Sequence, residues 1–168
     1  MNWDALGAIG EIVGAIAVVL TLGYFATQIR QSAKSSRQQS YHDLVTRRFD
    51  FFNRHVESAD FTSIFINGMR GDPLDEIEAQ RFTSSMLNFV SHVQDVYLQH
   101  RSGLVEDDVW IAERQYFSAC MGLPGFVAWW HAATQYFLTE FVEEMKGVET
   151  IPVVLMDQET GQWTRGTW

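Results

Sequence analysis

Eighteen consecutive residues, Ile12 to Ile29, read IVGAIAVVLTLGYFATQI and hold no Asp, Glu, Lys, Arg, Pro, Asn or His. At about 1.5 Å per residue, a helix of that length reaches across a hydrocarbon core of about 30 Å. Three structures compete for such a run: a cleaved signal peptide, a membrane-spanning anchor and a buried core helix. A signal peptide needs a basic start and a small-residue cleavage site. Here the start is acidic, with Asp4 and Glu11, and the run ends in Ala26-Thr27-Gln28-Ile29-Arg30 with no A-x-A-like site. A core helix shows a polar face every turn, whereas only Thr21 and Tyr24 carry polar atoms between Ile12 and Phe25. The expectation is a single-span transmembrane anchor.

Flanking charge gives the anchor a direction. Arg30, Lys34 and Arg37 follow the run and form a basic collar, and no acid occurs between Glu11 and Asp43. Basic flanks stay cytoplasmic, so the N-terminus is expected outside and residues 30–168 in the cytoplasm. Trp3 and Tyr24 suit the two interfaces. Glu11 sits at the rim, where a carboxylate reaches water; a buried ion-pathway role is the sharper alternative. Gly10 and Gly14 form a GxxxG pair that Ala17 extends by a turn. Small residues on one face let helices approach closely, which predicts self-association; the plainer reading is that Gly and Ala are common in membrane helices.

Four segments follow: 1–29 as N-terminal segment and anchor, 30–40 as a polar helical stalk, 41–147 as a helical bundle, and 148–168 as a tail. No Pro precedes Pro73 and no Gly lies between Gly23 and Gly68, so the anchor helix can continue to about Ser58. Apolar residues return at Tyr41, Leu44, Val45, Phe49, Phe52 and Val56, at helical spacing. A short helix opens at Asp60 and stops at Gly68–Pro73. Asp72 with Pro73 reads as the N-cap of the next helix. That helix carries Ile77, Phe82, Met86, Phe89, Val90, Val93, Val96 and Tyr97 on one stripe until Ser102-Gly103. Another begins at Glu106-Asp107-Asp108, and Gly122-Leu-Pro-Gly125 ends it. A last helix is expected from Phe126 to near Gly147. The tail reads as a small hairpin around Gln158–Gly161. The fold class is all-α: an anchor, a stalk and a small antiparallel bundle with a C-terminal hairpin.

Charge excludes one class of partner. Residues 1–59 are net +1 and residues 60–168 net −10, and nucleic-acid binding needs clustered Lys and Arg. The bilayer is the expected partner, with a second copy or a membrane complex beside it. Cys120 is alone, so no intramolecular disulfide forms, and its apolar surroundings mark it as a core residue.

Chemistry is sparse. His42, His55, His92, His100 and His131 lack metal-ligand spacing with one another. Asn88, His92, Asp95 and Gln99 share one helical face; His92-x-x-Asp95 is a weak metal pair, and a hydrogen-bonded seam is the plainer reading. There is no G-x-S-x-G elbow, P-loop or dinucleotide fingerprint. The rings of Trp110, Phe117, Phe126, Trp129, Trp130, Tyr136 and Phe137 could surround heme with His131 as ligand, but a core of large side chains explains them as well. Trp129 and Trp130 are sequence neighbours and cannot both point directly inward, so one is expected to face a partner.

The segments AIGEIVGAIAVVLTLGYFATQIRQS, GLVEDDVW and LPGFVAWWHAATQYFLTEFVEEM together resemble a group of uncharacterised bacterial inner-membrane proteins. These share an anchor ending in Y-x-A-x-Q-I-R-Q and a P-G-x-x-x-W-W helix. The resemblance spans most of residues 6–146 and implies a bacterial inner membrane and a helical fold, with no catalytic residue to carry over. The leading functional expectation is a membrane-anchored, non-enzymatic accessory or scaffold protein that self-associates or docks on a membrane complex, with no catalytic residue, metal or cofactor. The alternatives are a membrane-tethered small-ligand or heme sensor with an aromatic pocket, and a metal-dependent hydrolase using His92 and Asp95.

Overall fold

The structure, a computed structural model, describes residues 3–156 and 162–166; the side chains of 3–6, 8–10, 13, 54–56, 155–156 and 163–166 lie outside that description. The chain is mostly helical. Among the described residues six α-helices run in order: α1 Trp3–Glu57, α2 Ala59–Arg70, α3 Glu76–Arg101, α4 Asp107–Cys120, α5 Pro124–Ala133 and α6 Thr139–Lys146. A 3₁₀ turn, Thr134–Tyr136, separates α5 from α6, and strands β1 Val153–Met156 and β2 Trp163–Gly166 follow. The chain divides into two compact units, Met1–Gln39 and Ser40–Trp168.

The first unit is helical, and every described side chain from Gly14 to Gln39 is exposed. The Thr21 hydroxyl donates to the Ala17 carbonyl at 2.7 Å, and the Thr27 hydroxyl to the Tyr24 carbonyl at 2.7 Å. Gln28 Nε2 donates to the Tyr24 hydroxyl at 3.2 Å.

Here the anchor expectation is corrected: among the described residues, no helix is long and apolar enough to cross a membrane. The apolar run ends at Ile29. Lengthening it towards the body of the chain brings in Arg30 and Gln31, and its last turns already hold Thr21, Tyr24, Thr27 and Gln28. The N-out orientation, the cytoplasmic placement and the inner-membrane location fall with it. Arg30, Lys34 and Arg37 are exposed charges on α1. Gly14 has nothing within 4 Å of where a Cβ would stand, and Ala17 is exposed. The surroundings of Gly10 lie outside the described residues.

In the second unit α3 is central. It packs on α2 and on α4, and α5 returns to pack on α2. Its buried stripe is Phe82, Ser85, Met86, Phe89, Val90, Val93, Val96 and Tyr97. Ile77, expected on that stripe, is 71% exposed, because it lies in the first turn, ahead of the helices that cover the rest. The helix starts later than Asp72-Pro73 suggests. Asp75 is the N-cap, accepting from the Glu78 amide at 2.8 Å while Glu78 accepts from the Asp75 amide at 2.9 Å. This reciprocal pair satisfies two free donors at once, which a cap at Asp72 would not. On α1, Leu44 is buried, whereas Tyr41 and Phe49 point to solvent and Phe51 takes an inward place.

The helix expected from Phe126 to Gly147 is broken. Phe137 is extended, at φ −118° and ψ 161°. The Leu138 amide, the start of α6, donates to Gln94 Oε1 of α3 at 2.7 Å. The break lets Phe137 and Phe141 both reach Trp130, at 5.5 and 6.2 Å between ring centroids. Phe117 stands edge-on to Phe126 and Trp130 at 5.3 and 5.2 Å, contacts each worth about 0.5–1.5 kcal/mol beyond burial.

Two glycines set the approach of α2 to α5. A Cβ on Gly68 would enter the Phe82 ring, and one on Gly125 would run into the Gly68 carbonyl. Gly71 ends α2 at φ 82°, with its amide bonded back to the Gly68 carbonyl at 3.1 Å. β1 and β2 pair antiparallel, Val153 opposite Gly166 and Met156 opposite Trp163. Val153 rests on the helical core. Gln158–Gly161, the expected turn, lies outside the described residues.

Candidate functional site

Between the second half of α1 and helices α3 and α4 lies a cavity of about 300 Å³. Helix α1 supplies Arg47, Arg48, Asp50, Phe51 and Phe52. Helix α3 supplies Asn88, Phe89, Ser91 and His92, and α4 supplies Glu113 and Tyr116. Helical periodicity explains the grouping: Asn88 and His92 are one turn apart on α3, and Glu113 and Tyr116 one turn apart on α4.

Aromatic rings form the apolar wall. Phe89 meets Tyr116 edge-on at 5.3 Å and Phe51 at 5.9 Å, and Phe52 meets Tyr116 at 6.0 Å. The Arg48 guanidinium lies over the Tyr116 ring at 5.8 Å. Burial pushes the Tyr116 phenol well above its usual range, since the phenolate would be stranded away from water.

The polar wall centres on Glu113, which is only 4% exposed. Its Oε1 is ion-paired with Arg48 Nη1 at 2.9 Å and stands 3.6 Å from His92 Nε2. Its Oε2 is buried without a hydrogen-bond partner, as are both ring nitrogens of His92. A buried acceptor left unmet costs about 1–3 kcal/mol. Arg47 turns the other way and pairs with Asp95 at 2.6 Å.

The face of Asn88, His92, Asp95 and Gln99 is therefore divided. Asn88 and His92 line the cavity, Asp95 is held by Arg47, and Gln99 Oε1 is buried without a hydrogen bond. His92 and Asp95 do not converge, and among the described residues no group of three His, Cys, Asp or Glu is placed to hold a metal. His131 is exposed on α5, so it does not enter the aromatic cluster as a heme ligand would. Trp130 is 5% exposed, and Trp129 packs partly buried against Phe126 and Phe137. Both rings thus join the core, because the short α5 is covered on adjoining sides. Cys120 is buried, and burial raises its thiol to about 12.

Sequence reasoning found His92 and missed Glu113, Arg48 and Tyr116. Glu113 sits in EDDVWIAERQ, where a carboxylate reads as part of a solvated face. The one available signal was spacing: Trp110, Glu113 and Phe117 share an α4 face, placing an acid on the apolar stripe.

Compared with known proteins, the chain matches no family model, no curated protein and no solved structure at a significant level.

Proposed function

We propose that this is a non-enzymatic accessory protein whose helical unit holds a small ligand in the cavity between α1, α3 and α4. The observation that carries this reading is Glu113: a nearly fully buried carboxylate at the wall of a 300 Å³ cavity, with one oxygen ion-paired and the other without a partner. Ligand sites combine an apolar, aromatic wall with a few converging polar groups, and their volumes begin at about 300 Å³.

A fragment screen by saturation-transfer NMR on the full chain tests the reading. Fragments should bind the protein and lose their signal in Ser91→Trp, which fills the cavity from an exposed position. A protein that takes no fragment, or whose fragments bind Ser91→Trp equally well, would refute it.

A second reading, assembly with a protein partner or another copy, is supported by the exposed apolar side chains of the first unit. Ile16, Val18, Val19, Leu20, Leu22, Phe25 and Ile29 are each more than half exposed, more contiguous apolar surface than lone proteins usually leave open. Sedimentation of the full chain against Leu20→Glu tests this; a lone species in both would sink it.

A further inference from the structure

We propose that the first unit packs against the same segment of a second copy of this chain, the two helices running antiparallel about a twofold between Leu20 and Thr21. The proposal rests on the assembly reading above and names its occupant and its direction.

A helix that exposes apolar side chains along its length calls for a cover. Ile12, Val19, Leu20 and Ile29 are 61, 67, 69 and 69% exposed. They belong to the uncharged run 12–29, about 27 Å of helix. Side-chain charges stand only beyond its two ends, and they are of opposite sign. Asp4 and Glu11 precede the run, and Arg30, Lys34 and Arg37 follow it with no acid before Asp43.

About a twofold between positions 20 and 21 this pattern is its own complement. Ile12 comes level with Ile29 of the second copy, so the apolar run covers itself from end to end. The same operation brings position 11 level with 30 and position 4 level with 37. The acidic end of each helix therefore lies beside the basic end of the other, twice in every pair. Packed helices stand about 8–10 Å apart, comparable with the screening length of about 8 Å at physiological salt, so these charges act across the contact. Opposed helix dipoles add to the attraction. A parallel pair covers the apolar run equally well, but it sets Arg30, Lys34 and Arg37 against the same three cations. Like charges side by side oppose assembly. The apolar run thus says where two copies meet, and the end charges say in which direction. A contact of this kind is isologous, the commonest symmetry of soluble assemblies.

One spin label reads the direction. In the full chain with the buried Cys120 replaced (Cys120→Ala), Ser35→Cys carries a nitroxide at an exposed position. Antiparallel pairing sets the label of one copy level with position 6 of the other, and double electron–electron resonance should then read about 45 Å between labels. Parallel pairing brings them within about 20 Å. Sedimentation at low salt supplies the second measurement. The triple variant Arg30→Glu, Lys34→Glu, Arg37→Glu should weaken self-association by about tenfold or more, because it sets acids beside acids; in a parallel pair it only exchanges one repulsion for another. An assembled protein with labels within 20 Å, or one whose triple variant assembles as tightly as the parent, would overturn the antiparallel arrangement and leave the assembly reading standing. A lone species at every concentration would overturn both.

Discussion

Replacing Gly125 by alanine should be among the most damaging single-methyl changes in the chain. A Cβ there would overlap the Gly68 carbonyl oxygen and lie 2.8 Å from the Gly71 nitrogen and 2.9 Å from the Gly68 carbonyl carbon. All three atoms are backbone, held by the end of α2, so no rotamer change relieves the overlap and the two helices must separate. Overpacking costs about 1–3 kcal/mol where side chains can adjust; with backbone on the receiving side the upper end applies, about 3 kcal/mol. For a unit of this size that lowers Tm by about 10 °C. Gly147→Ala is the control, because Gly147 ends α6 at φ −88° with nothing within 4 Å of an added Cβ. Gly68→Ala should be milder than Gly125→Ala, since its Cβ meets the Phe82 ring, which can shift. Urea unfolding followed by circular dichroism measures all three. A Gly125→Ala protein within about 0.5 kcal/mol of Gly147→Ala would refute the close approach of α2 and α5.

Three further outcomes are expected. Leu44→Ala should cost about 2–5 kcal/mol, whereas Phe49→Ala, at a ring 62% exposed, should cost less than about 0.5 kcal/mol; equal losses in urea would mean that α1 is turned differently. Asp75→Ala should cost about 1 kcal/mol through loss of the cap and Asp72→Ala little, as thermal melts would show. Below pH 9 the Cys120 thiol keeps its proton whether the chain is folded or unfolded. Above it the unfolded chain releases the proton first, so stability falls as pH rises from 9.0 towards about 12. Cys120→Ala should flatten that fall, read from urea midpoints at about pH 8 and about pH 10, and an unchanged slope would show that burial does not shift the thiol.

The parts legible in the sequence were those carried by local periodicity. The α3 stripe from Phe82 to Tyr97 repeats at helical spacing, and the helix ends at Arg101, just before Ser102-Gly103, with Gly103 at φ 72°. The continuation of α1 to Glu57 was legible because nothing in that stretch breaks a helix. The α5–α6 break was not, since no Gly or Pro stands between Phe126 and Lys146; Gln94, on another helix, supports it. Gly122-Leu-Pro-Gly125 was legible as a helix boundary, but the reason for Gly125 lies in Gly68. The candidate site was hidden for the same reason. Arg48, His92 and Glu113 come from three helices, and only tertiary packing brings one carboxylate between the other two. The apolar run misled differently: its composition spoke for a span, but among the described residues no helix is long and apolar enough to cross a membrane.

The contact between Gly68 and Gly125 also has a kinetic meaning. The two residues are 57 positions apart, and closing a loop of that length costs roughly 3–4 kcal/mol of chain entropy before any contact rewards it. Helices α3 and α4 are joined by only a short turn and can pair early. The junction of α2 with α5 is then a late event, on the native side of the folding barrier. Gly125→Ala should accordingly steepen the loss of the folded state by raising the unfolding rate while leaving the refolding arm of a chevron nearly unmoved. Two hydrogen atoms on one α-carbon would thus govern how long the folded unit lasts, rather than how fast it forms.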